Sequence, residues 1–136
     1  RYLAAKHGRG TLMPSALADQ ARADMWMDWQ QSTPMAGLGP LFLGLVRTPA
    51  EKRDLAAIET GRKSVEKAMA ILDAQLTGRT FVTGEAMTIA DLALGPAVYR
   101  WYALPIERPS YPGLAAWYER LTRRAAFAKH VMLPLT

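Results

Sequence analysis

Cysteine is absent from the sequence, and histidine occurs only as His7 and His130. Without a thiol there is no disulfide framework, no thiolate nucleophile and no cysteine-based zinc site, a pattern that fits a reducing compartment. The histidines stand near opposite ends of the chain, and neither has a second histidine or a carboxylate one helical turn away, so no metal is expected. No apolar run approaches the roughly 18 residues of a membrane span. The basic, alanine-rich start also lacks the apolar core and cleavage site of an export signal. Neither a membrane nor export is therefore expected, and cytoplasm is the default location. Runs of alternating β-branched residues and internal repeats are missing too, which argues against a sheet or a solenoid. Ser15, Ser32, Ser64 and Ser110 lack a glycine-rich elbow or a paired base, so a hydrolase reading has little support.

What is present suits one globular domain. The chain has 136 residues, half of them hydrophobic and 21% charged, enough to own a core. Its formal net charge of +5 would permit an anionic partner. The basic residues are dispersed, however. The densest group, Arg120, Arg123, Arg124 and Lys129, has the helical spacing of a solvated face, and no nucleic-acid-binding motif accompanies it. Asp19, Asp24 and Asp28 read in the same way, as the wet side of an amphipathic helix.

Proline and glycine divide the rest into helical segments, and the fold class is all-α. One helix is expected after Met13-Pro14, with Ser15 as N-cap and an apolar row of Leu17, Ala21, Met25 and Trp29, reaching about Thr33. Pro34, Gly37, Gly39 and Pro40 then predict a break before the apolar stretch Leu41 to Val46. Thr48-Pro49-Ala50-Glu51 reads as a capping box with proline first, opening either a short turn or the next helix. From about Asp54, Ile58, Val65, Met69, Leu72 and Leu76 mark one face of a long helix, with Glu59 and Lys63 paired along it and Gly78 placed to end it. Further helices are expected from Thr88 to about Ala103, and from Pro112 through Leu114, Trp117 and Leu121 to Phe127. The four tryptophans divide: Trp26 and Trp117 read as core, whereas Trp29 and Trp101 stand between core and ligand contact. The methionines Met13, Met25, Met27, Met35 and Met69 read as packing, with Met35 beside the break suited to lining a tolerant pocket.

The most informative stretch is Phe81-Val82-Thr83-Gly84-Glu85-Ala86-Met87-Thr88-Ile89-Ala90-Asp91. Thr88 can accept a hydrogen bond from the Asp91 N–H, and the Asp91 carboxylate can accept one from the Thr88 N–H, which makes the pair a structural capping box. An Asp where Glu or Gln is usual points to a tight, buried site. This stretch resembles the "aromatic, aliphatic, x, Gly, acidic, x, hydrophobic, Ser/Thr, x, Ala, Asp" signature of glutathione transferase C-terminal domains. Pro112-x-Leu114-x-x-Trp117-x-x-Arg120-Leu121-x-x-Arg124-x-Ala126-Phe127 is similar to a later helix of the same family, with Ala125 standing where the family usually has proline. Arg1 to Gly8 looks like the end of the last helix of that family's thioredoxin-like domain.

The resemblance implies a helical bundle of the glutathione transferase C-terminal type over residues 9–136, preceded by a helix tail and linker at 1–8. It places the residue that activates the glutathione sulfur upstream, so no catalytic residue is expected within the chain. The implied activity is detoxification, in which a glutathione thiolate attacks a small apolar electrophile or reduces a peroxide; glutathione is the co-substrate, no metal is needed, and a homodimer is the expected assembly. By the same resemblance this domain supplies the hydrophobic wall for the second substrate through Gln30, Thr33, Pro34, Gly37, Leu38, Leu41 and Trp101, with small residues at Gly37 and Gly39 leaving room. Arg100-Trp101 matches an Arg-Trp pair of some bacterial members. The alternative is a non-catalytic interaction module of the same fold, which would not need that wall.

Overall fold

The computed structural model describes all residues 1–136 and is all-α. Its helices are α1 (Tyr2–His7), α2 (Leu17–Ser32), α3 (Pro34–Phe42), α4 (Leu55–Leu76), α5 (Ile89–Ala103), α6 (Pro112–Thr122) and α7 (Ala125–His130). A wider, π-type stretch Leu43–Arg47 and a 3-10 turn Ala50–Lys52 link α3 to α4. The turn is the outcome at Thr48-Pro49, and no capping box forms there. Instead the Thr48 hydroxyl donates to the Leu43 carbonyl at 2.9 Å, closing the π-type stretch.

The central helix α4 follows its sequence pattern closely. Asp54 accepts the Ala57 N–H at 2.9 Å at its start. Val65, Met69, Leu72 and Leu76 are buried on one face, and Gly78 takes a φ of +69° just beyond the end. On the wet face Arg62 bridges Glu59 and Glu66 at 2.8 and 2.6 Å, while Lys63 reaches Glu59 at 3.6 Å. The Arg62 hydrogen bond holds the Glu59 carboxyl at about 2, well below the usual carboxylate range. A depressed folded pKa gives a contribution present above the unfolded value of 4.5 and lost as pH falls towards 2. An NMR titration of the Glu59 side-chain carboxyl is therefore expected to show a midpoint near 2, moving back up in Arg62→Gln. An ordinary carboxylate midpoint in the unsubstituted chain would contradict the bridge.

Three expectations about α2 and α3 are corrected. Ala16, not Ser15, is the N-cap of α2, with no side-chain cap, and the Gln20 amide donates to the Pro14 carbonyl at 2.7 Å instead. The row Leu17, Ala21, Met25 and Trp29 is not the buried face. Leu17 and Met25 are 81% and 56% exposed, while Ala23, Trp26 and Gln30 point inward. Successive i+4 steps each overshoot a full turn by about 40°, so the row of four covers an arc of about 120°, and that arc is centred away from the side holding Ala23, Trp26 and Gln30. The break is also shorter than expected. Only Thr33 separates α2 from α3, because Pro34 has no N–H to continue the ladder but suits a first helical position. Pro40 lies within α3, and both it and Ala36, whose carbonyl it leaves free, are exposed, so water can satisfy that group.

The glycine at 37 does not leave room for a ligand. A Cβ there would lie 2.8 Å from the Gly61 carbonyl oxygen and 2.9 Å from Ser64 Cβ, so the missing side chain is what lets α3 sit directly on α4. The expected helix from Pro112 to Phe127 is two helices. Arg124 is extended (φ −84°, ψ 120°), and α7 starts at Ala125, so the bend forms without the proline. The turn carries Phe127 back onto Gly95, where a Cβ would meet the ring at 2.5 Å. One apolar cluster joins all of α2 to α7, with Trp101, Trp117, Leu38, Leu41, Met69 and Leu72 among its largest sealed side chains.

Candidate functional site

The first turn of α5 is built as the sequence predicts and carries more than a cap. Asp91 has no exposed surface. One carboxylate oxygen accepts the Thr88 N–H at 2.8 Å, and the other accepts the Val82 N–H at 3.0 Å and the Trp117 indole N–H at 2.8 Å. A single side chain thus ties the 81–84 turn, α5 and α6 together. The indole partner, 26 residues away, is not legible in the local motif, although a buried tryptophan N–H usually finds an acceptor.

The residues expected to form a hydrophobic wall are mostly interior. Gln30 is 6% exposed, and its amide oxygen accepts from the Gln31 side chain at 2.9 Å. Pro34 and Gly37 are buried at the α3 joint and its contact with α4, Leu38 and Leu41 are sealed in the core, and Thr33 alone is partly accessible. Trp101 has no exposed surface, and its indole N–H has no partner. Its neighbour Arg100 takes the outward position instead, with the guanidinium 5.7 Å above the Phe42 ring. The structure brings Leu38, Leu41 and Trp101 into one cluster but gives none of them a ligand-facing surface.

Accessible concavities lie elsewhere. An apolar hollow of about 740 Å³ is lined by Leu12, Met87, Leu92, Phe127 and Val131, with Arg124 and His130 among its polar lining. A second, of about 580 Å³, is lined by Leu3, Ala4, Leu12, Met27, Leu92 and Ala93. They share Thr11, Leu12 and Leu92, so they form one trough running from α1 past the start of α5 to α7. On the other half of α5 a cleft of about 370 Å³ opens between Phe42, Arg47, Tyr99, Arg100, His130 and the segment after α7. The sequence signal for it was present in Arg100, beside Trp101, but a guanidinium one residue from a tryptophan does not announce which of the two faces out.

Tyr102 and Tyr118 stack at 4.8 Å, and burial pushes both hydroxyls up, so they stay protonated at neutral pH. No three His, Asp or Glu side chains converge as metal ligands. Arg120 and Arg123 are engaged locally, with the Thr80 carbonyl and Glu119 respectively. No helix is long and apolar enough to cross a membrane.

Comparison with known proteins agrees with the fold. Residues 55–120 match the family model "Glutathione S-transferase, C-terminal domain". The chain is 37% identical over its whole length to glutathione S-transferase GstB of Escherichia coli K12, spanning 65% of that protein. It is 30% identical over 128 residues to the disulfide-bond oxidoreductase YfcG of the same organism, spanning 56% of it. Among solved structures, the glutathione-bound theta class glutathione S-transferase of Xanthomonas axonopodis pv. citri superposes with a TM-score of 0.94 at 41% identity, covering all of this chain and 71% of that one.

Proposed function

Because the chain belongs to the glutathione S-transferase family, through that family's C-terminal helical domain, we propose that it completes the co-substrate pocket of a cytoplasmic, homodimeric transferase that conjugates glutathione to apolar electrophiles. In this reading residues 1–8 are the tail of a thioredoxin-like domain's last helix, and residues 9–136 are the helical domain. The observation that carries it is the trough over Leu3, Leu12, Met27, Leu92 and Ala93. An unpartnered apolar surface of that extent on one side of a well-packed domain suits a partner domain. Leu17 and Met25, exposed on α2, suit a second protomer in the same way.

The co-substrate wall then lies where α3 meets α5. Thr33 borders it, while Gln30, Pro34, Gly37, Leu38, Leu41 and Trp101 stand behind it and fix the position of the surface side chains Phe42, Tyr99 and Arg100. Such a wall contributes proximity and desolvation, and the thioredoxin-like domain contributes the group that holds the glutathione sulfur as thiolate. The relationship to an oxidoreductase favours one second reading, in which the bound thiolate reduces a disulfide or peroxide rather than adding to carbon.

The test is to assay the chain alone and joined to a thioredoxin-like domain from a family member, with glutathione and 1-chloro-2,4-dinitrobenzene. The chain alone is expected to give only the buffer rate, and the joined protein saturable conjugation and sedimentation as a dimer. Saturable activity from the chain alone, or an inactive monomer after joining, would overturn the proposal.

A further inference from the structure

We propose that the cleft between α3, the end of α5 and the segment after α7 recognises an anionic group, a carboxylate or sulfonate, on an otherwise apolar ligand. The inference rests on the reading that this side of the domain receives the co-substrate, and it narrows that co-substrate to amphipathic acids.

Three elements bring basic side chains to one cavity of about 370 Å³: Arg47 from the end of the π-type stretch, Arg100 from the last turn of α5 and His130 from the end of α7. No side-chain carboxylate lines the cavity. The protein's ion pairs involve Arg1, Arg22, Arg62, Lys63 and Arg123, so neither Arg47 nor Arg100 is paired with an acid. Of the other guanidiniums, Arg1, Arg22, Arg62 and Arg123 pair with acids, and Arg53, Arg79, Arg108 and Arg120 donate to backbone carbonyls. Arg47 and Arg100 have neither kind of partner and line the same cleft together.

The walls supply the other half of the recognition. The Phe42 ring lies 5.7 Å below the Arg100 guanidinium and supports it from one face, which leaves its edge N–H groups free for a planar, two-pronged acceptor. The Tyr99 hydroxyl donates to the Leu133 carbonyl, holding Pro134 and Leu135 as the opposite side. Phe42 and these tail residues offer apolar contact to a ligand body, and the low-dielectric walls strengthen the field of the two guanidiniums within the cleft. An electrophile or hydroperoxide carrying an acid group meets both requirements, whereas a neutral one uses only the walls. At about 370 Å³ the space falls within the usual range for a small ligand.

The test uses 4-phenylbutyrate and its neutral amide as probes, titrated into the purified chain while the arginine side-chain N–H signals are followed by NMR. The carboxylate is expected to bind about tenfold more tightly than the amide, a difference of 1.4 kcal/mol. Arg100→Gln should abolish that preference, Arg100→Lys should keep part of it, and 0.3 M salt should weaken it. Arg100 is partly exposed, so unchanged helicity by circular dichroism is expected in both variants. Equal affinity for the two probes, or shifts confined to Arg120, Arg123 and Arg124, would overturn the proposal. So would glutathione alone shifting Arg47 and Arg100 and displacing the probe, since the anion read there would then be the peptide's own. None of these readouts requires transferase activity, so failure of the joined protein to conjugate glutathione leaves this result independently readable.

Discussion

Replacing Asp91 with alanine is expected to lower the melting temperature by well over 10 °C while leaving nearly unchanged the turnover of whatever remains folded when the variant is joined to a thioredoxin-like domain. The substitution strips the acceptor from three N–H donors at once, those of Val82, Thr88 and the Trp117 indole, and from the Thr88 hydroxyl as well. The carboxylate and Thr88 are buried, so water cannot replace the lost partner without opening the structure. Each buried donor left without an acceptor costs about 1–3 kcal/mol, and the loss of the helix cap adds about 1 kcal/mol. Even with incomplete additivity the total is about 4 kcal/mol, a large part of the stability of a domain this size.

Two further variants separate the roles within that network. Asp91→Asn keeps one acceptor oxygen but turns an amide N–H₂ towards donors, so it should recover only part of the stability. Trp117→Phe removes one donor and leaves the cap intact, so its loss should be about 1–2 kcal/mol from the hydrogen bond and the smaller ring. In the double variant Asp91→Ala with Trp117→Phe, the combined loss should fall short of the sum, because one orphaned donor has gone. A melting temperature within a few degrees of the unsubstituted chain for Asp91→Ala, or full stability with lost turnover, would refute the structural assignment.

What the sequence disclosed about this region, and what it withheld, follows from the range of the interactions. Thr88 and Asp91 are three residues apart, so their reciprocal bonds are local geometry and could be read before any fold was known. The same holds for α4, whose buried positions repeat at helical spacing from Gly61 to Leu76. The inward face of α2 was misjudged because its apolar residues are not confined to one side. Trp26 and Trp29 pair edge to face at 5.0 Å, while Leu17 and Met25 face out, and only the neighbours decide which row is buried. The wall residues failed to reach a surface for a related reason. Gly37 and Trp101 were read as space and ligand contact, yet each is consumed by packing, a use that depends on where α4 and the rest of the core lie. The cleft at Arg47 and Arg100 joins positions 53 residues apart, and no local pattern contains it.

The glycines of α3 allow that distinction to be measured, because Gly37→Ala and Gly39→Ala are expected to move stability in opposite directions. Both are in the same helix, and alanine improves helix propensity at either by up to about 1 kcal/mol. At Gly39 a Cβ meets nothing within 4 Å, so that gain should appear as a modest rise in melting temperature. At Gly37 a Cβ would stand 2.8 Å from the Gly61 carbonyl oxygen and 2.9 Å from both Ser64 Cβ and Val65 Cγ2. The first two are backbone or rigidly attached atoms, so relief requires α3 and α4 to separate rather than a side chain to rotate. Overpacking of this kind costs about 1–3 kcal/mol, occasionally more, which outweighs the propensity gain and leaves a net loss of about 1 kcal/mol or more. Gly61→Ala should behave alike, since its Cβ would lie 2.9 Å from the Gly37 carbonyl oxygen. Combined with Gly37→Ala it should add less than its single effect, because the helices have already parted. Phe42 ends α3 and supports Arg100, so the same separation should weaken phenylbutyrate binding in Gly37→Ala but not in Gly39→Ala. Equal melting temperatures for the two single variants would mean that the α3–α4 contact is looser than the 2.8 Å approach implies. Gly37 could then return to lining open space.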